Sequence, residues 1–160
     1  MVQFIPQYLV AVIGMVVGGS AGWILAAARN RRSGDAERID GIGRWDARVT
    51  LPLLLAAAGA HLALVPVVEL QRQLMFSLYA LALVITVPLA LGGWRIWRLG
   101  AIFLPLGSIL AYGYFAGQVH EADVVGLVVK IVELAAIAAA ARPVIAARRV
   151  RGRNQRMQTG

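Results

Sequence analysis

The 160-residue chain has no cysteine, a single lysine and few charges: 15% of its residues are Asp, Glu, Lys or Arg, where a soluble domain carries about 25%. Without cysteine there is no disulfide framework, thiolate metal site, iron–sulfur cluster or thiol nucleophile. Also missing are a nucleophile–base–orienter set, a glycine-rich phosphate loop, paired catalytic carboxylates and an HExxH-type motif, so an enzyme is not expected. Of two histidines, His61 falls inside an apolar run and His120 at a boundary. One imidazole alone is a poor metal or haem site, and no cofactor is expected.

What is there is apolar. Hydrophobic residues make up 59% of the chain and its mean hydropathy is +0.71, which makes the lipid bilayer the expected solvent. A hydrocarbon core of about 30 Å needs about 20 apolar residues per helix. Five uncharged or nearly uncharged runs meet that length, at about 4–28, 49–68, 74–94, 99–118 and 124–141. The expected fold is therefore all-α, a single integral membrane bundle of about five transmembrane helices spanning residues 1–160. The first run lacks the basic leader of a signal peptide, is long and ends at Arg29, Arg31 and Arg32, as a retained span does. The tight connection around Arg95 and Arg98 leaves one alternative, four spans plus a re-entrant segment. Trp94 and Trp97 there suit an interfacial aromatic belt.

The net charge of +8 does not form one basic face. Fifteen of the sixteen basic residues are arginine, and segments 29–48, 95–98 and 142–160 hold six, two and six of them, fourteen of fifteen. Short cytoplasmic loops carry the Lys/Arg excess, so the N-terminus is expected outside and the C-terminus in the cytoplasm. The 29–48 loop mixes arginine with Asp35, Glu37, Asp40 and Asp46 and reads as a solvated connector. In the 142–160 tail, Arg148, Arg149, Arg151 and Arg153 suit anionic headgroups, at about 1 kcal/mol per basic residue near the surface. The tail lacks interleaved aromatics, so no nucleic-acid partner is expected.

Two features stand out within the spans. Gly14, Gly18 and Gly22 recur every four residues on one face of the first run, where small residues let two helix backbones approach closely. That face serves either packing within the chain or another membrane subunit. In the fifth run, Asp123, Gly126, Lys130 and Glu133 share a face by their offsets of three, four and seven. Counted from Asp123, Lys130 lies about 10 Å deep and Glu133 about 15 Å. A charge at the bilayer centre costs at least about 2.5–3.5 kcal/mol and needs a partner. His61, counted back from Glu69, lies about 12 Å deep, in the same layer. A His–Lys–Glu cluster is expected there, with Tyr79, Ser108 and Tyr112 as further partners if the helices rotate suitably. Such a cluster acts as a structural clamp, as a proton relay with Glu133 as titrating carboxylate and His61 as shuttle, or as a polar site completed by a partner protein.

At His61-Leu62 and the Asp123-x-x-Gly126-x-x-x-Lys130-x-x-Glu133 pattern, the chain resembles small uncharacterised multi-pass proteins of high-GC actinobacteria. The resemblance implies a bacterial plasma-membrane location and no particular activity. Small size, glycine faces and missing catalytic motifs lead to the expectation of a non-enzymatic accessory or structural subunit of a transport or respiratory assembly, partnered by other integral membrane subunits and anionic lipids. The alternative is a small proton-coupled transporter or ion-conducting protein built on the midplane cluster.

Overall fold

A computed structural model describes residues 4–32, 45–119 and 124–158, and among them all regular structure is helical. Five helices are long and apolar enough to cross a membrane, as in a multi-pass membrane protein. They contain α1 (Phe4–Arg32), α2 (Leu51–Leu64), α3 (Leu70–Leu91), α4 (Trp97–Val119) and α5 (Val124–Gln158), and the second reaches spanning length, Arg48–Val67, only with the turns that flank α2. A π-helical turn, Asp46–Thr50, leads into α2, and a 3-10 turn, Val65–Val67, follows it. Pro52 at the start of α2 accounts for the wide turn, since it lacks the N–H that would close an ordinary α-turn on the residues before it.

Helix boundaries differ from the apolar runs for local reasons. The third helix begins at Leu70, so Arg72 lies within its first turn, and it ends at Leu91. A Schellman motif stops it: the Gly93 N–H donates to the Ala90 carbonyl at 3.0 Å and the Trp94 N–H to the Leu89 carbonyl at 3.0 Å. Gly93 has φ 75°, a left-handed conformation that a Cβ would strain. The reversal is complete within five residues, and α3 and α4 are two separate helices, each long and apolar enough to cross a membrane. Helix α5 runs on to Gln158, through the segment read as a tail. Its 35 residues make a rod of about 52 Å, longer than a hydrocarbon core of about 30 Å.

Packing rests on small residues. The seam between α1 and α2 is antiparallel: Gly14 meets Gly59, Gly18 meets Leu55, and Gly22 meets Leu51 and Pro52. At Gly14, Gly18 and Gly59 a Cβ would fall well inside van der Waals contact distance of a carbonyl oxygen on the facing helix. The glycine face of α1 is thus covered by the chain's own α2. Gly113 and Gly117 of α4 meet nothing within 4 Å and face outward.

The remaining core lies between α2, α3, α4 and α5, where Leu51, Leu54, Ala57, Ala58, Leu83, Val87, Ala101, Ala136 and Ala140 pack together. Trp97 sits among them at 0% exposure, whereas Trp94 is 65% exposed. Only Trp94 is placed as an interfacial aromatic would be. Trp97 is instead a core residue at the foot of α4. Among the described residues its indole N–H has no hydrogen-bond partner, and the large apolar ring it brings to an alanine-rich layer offsets that loss.

Candidate functional site

Four helices bring polar side chains to one layer of the bundle. Helix α2 supplies His61, α3 Tyr79, α4 Ser108, and α5 both Lys130 and Glu133. The Glu133 side chain is fully buried and accepts three hydrogen bonds. Tyr79 donates its hydroxyl to Oε1 at 2.8 Å, Ser108 donates to the same oxygen at 3.0 Å, and Lys130 Nζ donates to Oε2 at 2.7 Å. Lys130 Nζ also donates to Ser108 Oγ at 2.5 Å. The ion pair is an i,i+3 contact within α5, and the other two donors come from the neighbouring helices.

His61 completes the layer from the opposite wall. Its Nδ1 lies 2.9 Å from the Ala57 carbonyl one turn earlier, and its Nε2 lies 3.7 Å from Glu133 Oε1. Edge-on contacts with Phe76 and Tyr79, at ring-centroid distances of 5.1 and 4.5 Å, hold the imidazole. Tyr112 packs its ring onto Gly126, where a Cβ would overlap it, and Lys130 Nζ stands 5.8 Å from the centre of that ring. The glycine one turn before Lys130 therefore admits an aromatic wall.

The structure thus joins His61, Lys130 and Glu133, three of the four residues expected in the cluster. The fourth, Asp123, lies outside the described residues. Arg148, Arg149, Arg151 and Arg153 lie on the backbone of α5, and their side chains fall outside the described residues. Among the described residues no three His, Asp or Glu side chains gather as metal ligands.

A second network, absent from the sequence reading, closes the end of the bundle where α2 and α4 begin. Asp46, in the π-turn, is buried rather than solvated. Arg98 grips it with both arms of the guanidinium, at 2.6 Å to Oδ2 and 3.2 Å to Oδ1. Thr50 donates to Oδ1 at 3.3 Å. Arg98 also donates to the Ala140 carbonyl at 3.2 Å, and Trp45 Nε1 donates to the Ala139 carbonyl at 3.1 Å. Arg142 stacks over the Trp45 ring at 4.0 Å. The start of α2, the start of α4 and the middle of α5 are locked together about 10 Å along α5 from Glu133.

Of the charges in this network, Arg98 was legible only as a topology signal, and Asp46 only as one acid in a mixed loop. The available hint was local: Asp46 and Thr50 are four residues apart beside a tryptophan, as a buried polar turn requires. Arg98→Lys keeps the charge and loses the fork. We expect it to cost about 1.5–3 kcal/mol, one charged hydrogen bond, read as a lower midpoint of thermal unfolding in detergent. An unchanged midpoint would show that a point charge suffices.

No family model, curated protein or solved structure matches the chain.

Proposed function

We propose that the protein is a small proton-coupled transporter or proton-conducting protein of a bacterial plasma membrane, with its N-terminus outside and its C-terminus in the cytoplasm. One observation carries the reading. A carboxylate with no exposure to solvent sits among a lysine, an imidazole, a phenol and a hydroxyl contributed by four spans. Ionisable groups inside membrane spans are costly, face the bundle interior and mark ion and proton pathways. The arginine distribution supports the orientation. The basic stretch around Arg148, Arg149, Arg151 and Arg153 then lies at the cytoplasmic leaflet, beside anionic headgroups.

In this reading Glu133 and His61 together hold and release the proton, and Lys130 supplies the counter-charge that makes a buried carboxylate tolerable. Tyr79 and Ser108 orient the carboxylate, and His61 offers the titrating nitrogen beside it. The test is proton flux in proteoliposomes carrying an internal pH dye and an imposed potential. Glu133→Gln, nearly the same size and unable to titrate, should reduce flux at least about tenfold, which is about 1.4 kcal/mol in a rate barrier. Flux that is unchanged in rate and pH dependence would remove the proposal.

A second reading, an accessory subunit of a larger membrane assembly, is favoured by the outward glycines of α4, where Gly113 and Gly117 leave space for a neighbouring backbone. Gentle detergent extraction and native electrophoresis test it. Migration only as a free monomer would count against it, and a stoichiometric copurifying membrane protein would favour it over transport by this chain alone.

A further inference from the structure

The hydrogen-bond donors and acceptors around Glu133 fix where an additional proton must go. Glu133 receives Tyr79 and Ser108 on Oε1 and Lys130 on Oε2, an arrangement suited to an ionised, acceptor-only carboxylate. A proton placed on Oε2 would point at an ammonium. With the Tyr79 and Ser108 bonds kept, a proton on Oε1 would have one acceptor in reach among the described residues, His61 Nε2 at 3.7 Å. The Ala57 oxygen, 2.9 Å from Nδ1, is a carbonyl and can only accept. The ring therefore carries its hydrogen on Nδ1, and a neutral imidazole turns the bare lone pair of Nε2 toward Glu133.

Two acceptors then face each other across 3.7 Å with no hydrogen between them. We infer that the proton handled by this network is bound in that gap, on His61 Nε2 and shared with Glu133 Oε1, with the imidazole tautomer set by the backbone carbonyl of Ala57. Lys130 is a fixed counter-charge and no proton carrier.

The step balances simply. A proton from water forms the Nε2–H bond, His61 becomes imidazolium, and the N–H donates to Oε1, closing the gap to the roughly 2.7–2.9 Å of a charge-assisted bond. Release returns the proton to water, and nothing is oxidised or reduced. Lys130, Glu133 and His61 sum to zero charge in the empty state and to +1 when loaded.

The groups facing His61 from its neighbours are Tyr79 and Phe76 of α3 and Glu133 of α5. Behind Glu133 stand Lys130 and, from α4, Ser108. From α1 the seam with α2 presents Gly14, Gly18 and Gly22, which do not titrate. Among these only the imidazole offers an unprotonated nitrogen.

The inference rests on the proton-handling reading of the site but is read without flux. The full-length His120→Gln variant leaves His61 as its only histidine. Labelled with nitrogen-15 histidine and carbon-13 glutamate and reconstituted in phosphatidylethanolamine–phosphatidylglycerol vesicles, it is followed by solid-state NMR from alkaline to mildly acid pH. At alkaline pH the expected signals are Nδ1 protonated and Nε2 bare. On acidification Nε2 gains a proton and a cross-peak to the Glu133 carboxyl carbon, which stays at a carboxylate shift.

A neutral ring protonated on Nε2, or a Glu133 carboxyl that protonates while His61 stays neutral, overturns the inference. In Glu133→Gln the imidazolium signal should be lost over the same pH range while the Nδ1–H tautomer persists. Should that variant not fold, the tautomer and carboxyl signals of the Glu133-containing protein decide alone. The correct tautomer in a protein without flux would overturn transport and leave the proton site standing. Flux with the wrong tautomer would do the reverse.

Discussion

Glu133→Ala is expected to lose about 3–5 kcal/mol of stability, because it leaves the Lys130 ammonium in the bundle without its counter-charge. The Tyr79 and Ser108 hydroxyls lose their acceptor at the same time, and each unsatisfied donor adds to the loss. The informative comparison is the double variant Lys130→Met with Glu133→Leu. Replacing both members of a buried ion pair by apolar groups of similar volume is often neutral or stabilising. The double variant should therefore recover most of what the single one loses, while proton flux is absent from both. Unfolding by denaturing detergent from mixed micelles measures the first quantity and the dye assay the second. A double variant as unstable as the single one would show that the surrounding hydroxyls, and not the unpaired charge, set the cost.

Gly18→Val should detach α1 from α2. Even one Cβ at Gly18 would collide with the Leu55 carbonyl oxygen, so a valine cannot be accommodated without separating the helices. Overpacking costs about 1–3 kcal/mol, and separation also removes the Cα–H to carbonyl contacts of a glycine seam, about 0.5–1 kcal/mol each. We expect a loss of about 3 kcal/mol and failure of engineered cysteines across the seam to cross-link. Gly113→Ala is the matched control. With nothing within 4 Å of its Cβ position, it should be neutral or stabilise by about 0.5–1 kcal/mol through helix propensity. A strong defect at Gly113 would instead reveal a neighbour packed on α4.

The contrast between these two sites shows what could be read from the chain and what could not. Five helical spans follow from the length of the apolar runs, and the depth of His61, Lys130 and Glu133 follows from counting residues at a fixed rise. Rotation about each helix axis does not follow, because nearly every face in lipid is apolar and no amphipathic pattern orients it. Contact between His61 and Glu133 therefore needed coordinates. The Asp46–Arg98 lock was harder still, since its partners are 52 residues apart and each has a sufficient explanation as a loop charge. The stop of α3 could be anticipated from Gly92-Gly93, whereas the continuation of α5 could not. Arginine is a good helix former, so a basic stretch after a span is equally compatible with a helix and a loose tail.

The placement of Lys130 and Glu133 on one helix also bears on how the protein is made. During synthesis each span leaves the insertion machinery in turn, and α5, the last of the five in chain order, must bring both charges into lipid. Had the lysine and the glutamate been on different spans, each would have entered alone, at the full cost of an isolated charge. At a spacing of three residues they neutralise one another within α5 itself, before it packs on the other helices. Until then Tyr79 and Ser108 wait in the partly assembled bundle without their acceptor. The segment that carries the charge pair is thus also the one that supplies the acceptor for the Tyr79 and Ser108 hydroxyls of other spans.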